Sequence, residues 1–274
     1  MEHKLYFIEG IPGSGKTTRT EKLLELLQQQ QRRVTCFHEC EKNELDLARY
    51  AILTTDEYEQ LCQKIADKER EDQLPAGKIM RAVNAQTDYI GNKMYIAFQA
   101  LYDSPETDSI AYALSKRDIY NGHCSFGRFR MAHLMRWKAF AQKAANSDCV
   151  YVCDAILLQS PLFELLGYYD MNEEPIYKYI SELIACVKDL NPIVYYNRVH
   201  EVQKLTRITC NIRKDDPDKW ERGFYKWMEV TPYFQRRNYH GFDGMCAFFK
   251  ERQEIELALL KKLNIPYVLY DRIC

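Results

Sequence analysis

Eight residues near the start of the chain hold its densest chemistry. Gly10-Ile11-Pro12-Gly13-Ser14-Gly15-Lys16-Thr17 fits the spacing G-x-x-x-x-G-K-[ST], with Thr18 directly after it. Gly10, Gly13 and Gly15 permit turns that point backbone N–H groups inward around an anion, with Pro12 and Ser14 set between them. A helix beginning at such a loop aims its positive end at the same anion. Lys16 would reach the β- and γ-phosphates of a nucleotide, and the Thr17 hydroxyl would ligate Mg²⁺. The stretch Gly10 to Thr18 therefore predicts a site for ATP, with Mg²⁺ as its companion ion.

Such a loop needs a strand before it and a helix after it. The apolar run 4–9 reads as a buried strand, and Leu23, Leu24, Leu26 and Leu27 sit at helical spacing in a segment reaching about residue 31. Further strands are predicted over 33–38, 149–154, 192–196 and 265–270, from their β-branched and aromatic content. Helical patterns fill 45–68, 83–102, 129–145, 176–190, 200–213, 220–237 and 246–263. Alternation of this kind predicts an α/β fold: a parallel five-stranded sheet covered by helices on both faces. The stretch 41–147 is too long for one connection and shows little strand signal. It is expected as a large helical insertion between strands two and three, a lid that binds a second substrate. The core would then comprise 1–40 and 148–274.

Ligands of parallel sheets collect at the carboxyl ends of the strands. That rule brings Gly10–Thr17, Glu39, Asp154 and Asn197 together from distant parts of the chain. Asp154 could hold Mg²⁺ through water or accept a proton, or could only cap the next helix. Glu39 could be the general base, an acceptor contact or a solvated carboxylate, and Asp46 is a weaker candidate of the same kind. Gln159 could reach an acceptor hydroxyl or base. His123, Arg128, Arg130 and Arg136 form a basic group that could meet an anionic acceptor, with Arg128 its foremost candidate, or could line a solvated helix face. Cys36, His38 and Cys40 alternate, but zinc would require a fourth ligand and a cysteine pair at a turn, so buried thiols are expected. Trp137, Phe140, Trp220 and Trp227 are expected in the core.

The loop at 10–18 resembles that of the P-loop kinases acting on small molecules and nucleotides. The strand 192–196, followed by a helix carrying Arg207 and Arg213, is similar to the strand-four and lid region of thymidylate kinases. The resemblance implies that arginines there close over the phosphates, where guanidinium offers a planar fork to the equatorial oxygens. Lys214 and Arg222 are lesser options. Thymidylate kinases carry an Asp-Arg pair after strand three. This chain instead reads Asp154-Ala155-Ile156-Leu157-Leu158-Gln159, which argues against thymidylate as the acceptor. Asn92-Lys93-Met94-Tyr95 lacks the Asp of a guanine-reading motif.

Composition sets the outer limits. The 274 residues are 46% hydrophobic and 28% charged, enough for a substantial core, and 38 Lys+Arg against 39 Asp+Glu argue against non-specific nucleic-acid binding. Ten cysteines fall well short of a disulfide scaffold. No apolar stretch is long enough to span a membrane, and the start lacks a secretory apolar run, so a cytoplasmic protein is expected. The reading is an ATP- and Mg²⁺-dependent kinase moving the γ-phosphoryl group to a nucleotide, nucleoside or other hydroxyl compound, with a homodimer compatible. Lys16, Asp154, Arg207, Arg213 and Glu39 would carry the catalysis. A regulatory NTPase working as a switch is the rival from another class, and a kinase-like toxin or antibiotic-modifying enzyme would keep the chemistry.

Overall fold

The computed structural model describes residues 2–39, 41–213 and 219–272. The chain opens with β1 (Leu5–Glu9), α1 (Lys16–Gln29) and β2 (Val34–Phe37). Next come β3 (Tyr50–Thr54), α2 (Thr55–Glu71), α3 (Lys78–Ala85), β4 (Thr87–Ile90), β5 (Lys93–Ala97), α4 (Pro105–Ser115) and α5 (Phe126–Ala145). The remainder is β6 (Val150–Asp154), α6 (Gln159–Gly167), α7 (Glu173–Val187), β7 (Pro192–Val199), α8 (Val202–Ile212), α9 (Lys219–Val230), α10 (Pro232–Arg237), α11 (Gly241–Lys262) and β8 (Tyr267–Arg272). Two compact units result: Met1–Asn43 with Phe140–Cys274, and Glu44–Ala139.

The first unit is an α/β layer structure. Its five strands run parallel in the order β2-β6-β1-β7-β8, flanked by helices. β1 is central and all five of its residues are buried, which is why it reads as an unbroken apolar run rather than an alternating one. Tyr6 and Ile8 share one face with Val150, Val152 and Ile193, and Leu23 and Leu27 of α1 pack onto that face. The pairing Ile8↔Asp154 places the end of β6 beside the end of β1. Elsewhere in this unit an aromatic layer joins α6, α9, α10 and α11, with Phe234 5.0 Å and Trp227 5.5 Å from Phe248 between ring centroids. The tyrosines there pair with glutamates: Tyr233 and Tyr239 both donate to Glu251.

The second unit corrects the expectation of a purely helical stretch. It contains a three-stranded antiparallel sheet in the order β3-β5-β4. Ala51, Leu53, Met94 and Ile96 of that sheet pack against Ile65, Val83 and Ile110 of its helices. The predicted helix over 45–68 is really strand β3 running directly into α2, and the predicted helix over 83–102 contains the β4–β5 hairpin. The hairpin turns at Gly91-Asn92, with Gly91 at φ +59°. That dipeptide between β-rich runs is a hairpin signal, but the apolar residues around it also fit a helical stripe. Local sequence did not separate the two periods; packing against neighbouring strands did. Glu69, in the last turn of α2, accepts from the main-chain N–H groups of Gly77, Ile79 and Met80 at the start of α3. Burial works against its charge, yet these donors hold it below the usual carboxylate range.

Among the described residues, no helix is long and apolar enough to cross a membrane. The junction of β3 and α2 is a capping box: Glu57 N–H donates to Thr54 Oγ1 at 3.3 Å, and Thr54 N–H to Glu57 Oε2 at 2.8 Å. Thr54→Ala is expected to cost about 1 kcal/mol. Chemical denaturation, with amide exchange in α2 rising alongside, checks this.

Candidate functional site

The loop between β1 and α1 is built on left-handed backbone. Gly10, Gly13 and Gly15 have φ of +140°, +79° and +89°. A Cβ at Gly13 would sit 2.0 Å from Thr209 Oγ1, and one at Gly10 would sit 2.7 Å from the Asn197 carbonyl, so both positions require glycine twice over. Side chains hold the loop from outside. Arg272 Nη1 donates to the Gly13 carbonyl at 2.5 Å, and Asn197 Nδ2 to the Ser14 carbonyl at 3.2 Å. Asn197 Oδ1 accepts in turn from Arg19 Nε at 2.6 Å, and the Arg19 guanidinium lies 3.4 Å over the Tyr270 ring. The strand ends thus clamp the start of α1, whose first-turn N–H groups carry the positive end of the helix dipole.

Lys16 is buried at the base of this loop. Its ammonium donates to the carbonyls of Gly10 at 3.0 Å and Ile11 at 3.2 Å, and to Gln159 Oε1 at 2.8 Å. Burial pushes its pKa down, while Glu39 and Asp154 pull it back up. Thr17 Oγ1 lies 3.4 Å from Asp154 Oδ2. The other oxygen of Asp154, Oδ1, is buried and has no hydrogen-bond partner in the protein. Burial raises the Asp154 pKa, and Lys16 works against that rise. Gln159 donates from Nε2 to Glu39 Oε2 at 2.6 Å.

Beneath the loop lies a buried carboxylate. Glu9, fully shielded from solvent at the end of β1, accepts from Leu157 N–H at 2.7 Å and Gln159 N–H at 3.0 Å. These bonds hold the turn that leaves β6, where Ala155 takes the left-handed conformation at φ +66°. Burial pushes the Glu9 pKa up to about 8, with Glu256 adding to the rise and the main-chain donors opposing it. Arg252 and Glu256, both without exposed surface, pair at 3.0 Å. Arg252 Nη2 also reaches the Gly10 carbonyl at 3.4 Å, and Tyr196 donates to Glu256 at 2.5 Å.

The loop, Lys16 and Asp154 open into a cleft of about 480 Å³ within the first unit. Its polar lining includes Lys16, Thr17, Glu39, Asp154, Gln159 and Arg272. Phe163, Leu205, Ile208, Ile212, Trp220 and Phe224 form its apolar wall. Carboxylate, ammonium, hydroxyl and guanidinium in one cleft suit the binding of a polyanion with a hard cation.

The structure brings together Lys16, Thr17, Glu39 and Asp154, which the strand-end rule had grouped, with Gln159 beside them; Asn197 meets the loop through the Ser14 carbonyl. Arg213 lines the cleft and stacks over Trp220 at 4.9 Å. Arg207 does not line it. Leu205, Ile208, Thr209 and Ile212 present the cleft face of α8, and Arg207 lies about 200° around the helix from Leu205. It is exposed and stacks 3.5 Å over Phe242 instead. Asp46 and Arg128 belong to the second unit. Asp46 is buried and accepts from Ala48 N–H at 3.0 Å, a local turn role, and Arg128 donates to the Ile52 carbonyl at 2.8 Å. Arg136 of the predicted basic group is a core residue, paired with Asp88 at 2.9 Å and Tyr50 at 3.0 Å. Cys40 and Lys214 lie outside the described residues. Of the free thiols, Cys149, Cys153, Cys210 and Cys246 are buried, whereas Cys36, Cys62, Cys124 and Cys186 are only half-buried. Among the described residues no three His, Cys, Asp or Glu side chains converge as a metal cage. Trp220 belongs to the cleft wall rather than the core.

Sequence reasoning passed over Glu9, Arg252 and Arg272. Glu9 had a signal, since a carboxylate closing an otherwise apolar central strand must find donors when buried. Arg252 and Glu256 sit four apart on an otherwise apolar helix face, a spacing that also describes any surface ion pair. No local pattern marks Arg272. No protein-family model matches the chain, and comparison with curated proteins finds no match.

Because the Glu9 pKa is raised from 4.5 to about 8, its contribution to stability is complete below pH 4.5 and is lost as pH rises through about 8. The unfolding free energy of wild type relative to Glu9→Gln is therefore expected to fall between pH 5 and pH 8. Urea denaturation across that range checks it, and a constant difference would contradict it.

Proposed function

We propose that this chain is an ATP- and Mg²⁺-dependent P-loop phosphotransferase that moves the γ-phosphoryl group to a hydroxyl or phosphate of a small molecule. The carrying observation is the meeting of Lys16, Thr17 and Asp154 at a left-handed glycine turn that opens α1. On this reading the phosphate-loop kinase core is formed by the parallel sheet, with the second unit inserted between β2 and β6.

The residues fit Mg²⁺. Asp154 offers a buried oxygen without a protein partner, and Thr17 offers a hydroxyl held only by a 3.4 Å contact. Mg²⁺ takes one or two protein ligands and fills its remaining positions with phosphate oxygens and water, so a dedicated cage is not required. When bound, the ion would neutralise negative charge on the nucleotide's phosphates.

The chain's own groups account for the rest. Backbone N–H groups of the loop and the first turn of α1 hold the phosphates. Lys16 exchanges a protein acceptor for a phosphate oxygen, and Arg213, just past the end of α8, and Arg272 of β8 add cationic donors. Glu39, exposed at the cleft and held by Gln159, accepts the proton of the acceptor hydroxyl. The acceptor oxygen bonds to the γ-phosphorus as the bond to the β-bridging oxygen breaks, and ADP departs with that electron pair. Positioning and electrostatics supply most of the acceleration. The apolar wall of Phe163, Trp220 and Phe224 would shelter the reacting groups from water. An ATP-consuming enzyme needs a compartment that supplies ATP, which accords with the cytoplasm.

Lys16→Ala is expected to weaken binding of a fluorescent ATP·Mg²⁺ analogue at least tenfold. Asp154→Asn should lower transfer about a hundredfold while raising the Mg²⁺ concentration required. A screen of γ-labelled ATP against nucleotides, nucleosides and sugars reads the transfer. Label appearing only as free phosphate would favour the regulatory NTPase, and unchanged binding in Lys16→Ala would overturn the loop assignment.

A further inference from the structure

The Gln159 side chain bonds Lys16 at one end and Glu39 at the other, at 2.8 Å and 2.6 Å. Its orientation is dictated by chemistry. An ammonium only donates and a carboxylate only accepts, so Oε1 must face Lys16 and Nε2 must face Glu39. Reversing the amide would set two donors against each other at one end and two acceptors at the other. Its main chain is equally committed, because Gln159 N–H donates to Glu9 at the start of α6. With 3% of its surface exposed, the residue is built into the wall rather than displayed on it.

Lys16 has three protons, and Gly10, Ile11 and Gln159 accept all three. A phosphate oxygen must therefore displace one of them. The two carbonyls belong to the loop itself, and Gly10 is further tied to Arg252. Gln159 is the acceptor that can be given up without altering the loop backbone.

We infer that Gln159 is a positioning residue that couples the nucleotide side of the cleft to the acceptor side. This rests on the reading of Gly10–Thr17 as a phosphate loop. An anion on the loop competes with Gln159 for Lys16. Once Lys16 turns to the anion, Gln159 Oε1 is open to a donor from the acceptor side while Nε2 still holds Glu39. Linkage makes the effect reciprocal: whatever engages Gln159 from the acceptor side releases Lys16 and tightens nucleotide binding. The bridge thus makes nucleotide and acceptor bind with positive cooperativity, whichever arrives first.

The test measures affinity for a fluorescent ATP analogue with Mg²⁺ on the full chain. Gln159→Leu removes both bonds at similar volume and is expected to bind about threefold to tenfold more tightly, because Lys16 loses a competing acceptor. Gln159→Glu keeps an acceptor for Lys16 but loses the donor to Glu39 and adds negative charge, so affinity should fall by a similar factor. Damage to the fold would weaken binding in both, so the gain in Gln159→Leu is the outcome specific to the bridge. Glu39→Ala completes a cycle. Its direct charge effect persists in either background, whereas the part transmitted through Gln159 vanishes in Gln159→Leu; the gain from Glu39→Ala should be at least twofold smaller there. Should Gln159→Leu fail to fold, Gln159→Met replaces it with the same expected gain. Unchanged or weaker binding in Gln159→Leu (or in the Met variant that replaces it), or an equal Glu39→Ala effect in both backgrounds, overturns the coupling while leaving the loop assignment standing. Failure of wild type to bind the analogue, or Lys16→Ala binding as wild type does, overturns both.

Discussion

A carboxylate buried at the end of the central strand is the constraint on which the site depends. Glu9 closes β1 and faces into a region from which water is shut out. Its oxygens must be satisfied locally, and two N–H groups from the turn after β6 do this. In meeting that need the protein also fixes the turn. Ala155 is held in a left-handed conformation costing about 1–3 kcal/mol, and Gln159 returns over Lys16 at a set height. One polar burial therefore supports both the glycine loop on its own strand and the Asp154–Gln159 loop on the neighbouring one.

The cleft is a balance of opposed charges. Lys16 is depressed by burial and sustained by Glu39 and Asp154; Asp154 is raised by burial and restrained by Lys16. Groups in this state respond strongly to a new charge, because little water is available to screen it. Arg252 and Glu256 form a second balance below, where an ion pair without exposed surface contributes little net stability but fixes the Gly10 carbonyl from behind. The last strand enters the same arrangement through Arg272, whose guanidinium reaches over the loop to the Gly13 carbonyl.

Much of the parallel sheet was legible in the sequence. β1, β6 and β7 are short apolar runs bounded by polar residues, and each ends at or near a residue of the site: Glu9, Asp154 and Asn197. The second unit was harder to read. β3 is followed by α2 without a loop, and the β4–β5 hairpin turns in two residues, so strand and helix periods overlap within one window. The arginines show the same limit. Arg207 and Arg213 look equivalent as residue types, but the face that α8 turns to the cleft includes one and leaves the other against Phe242.

The amino-acid sequence by itself determined the glycine loop, the lysine and hydroxyl that follow it, and the strands that carry Asp154 and Glu39 to one end of a sheet. These follow from local rules: left-handed backbone needs glycine, and buried parallel strands need apolar runs. Only the tertiary structure decided which polar groups touch. Glu9 meets residues 157 and 159, Gln159 spans Lys16 and Glu39, and Arg272 reaches Gly13, across separations that no periodicity encodes. Strand order and register set those contacts, because hydrogen bonding and desolvation act over a few ångströms of space, whatever the distance along the chain.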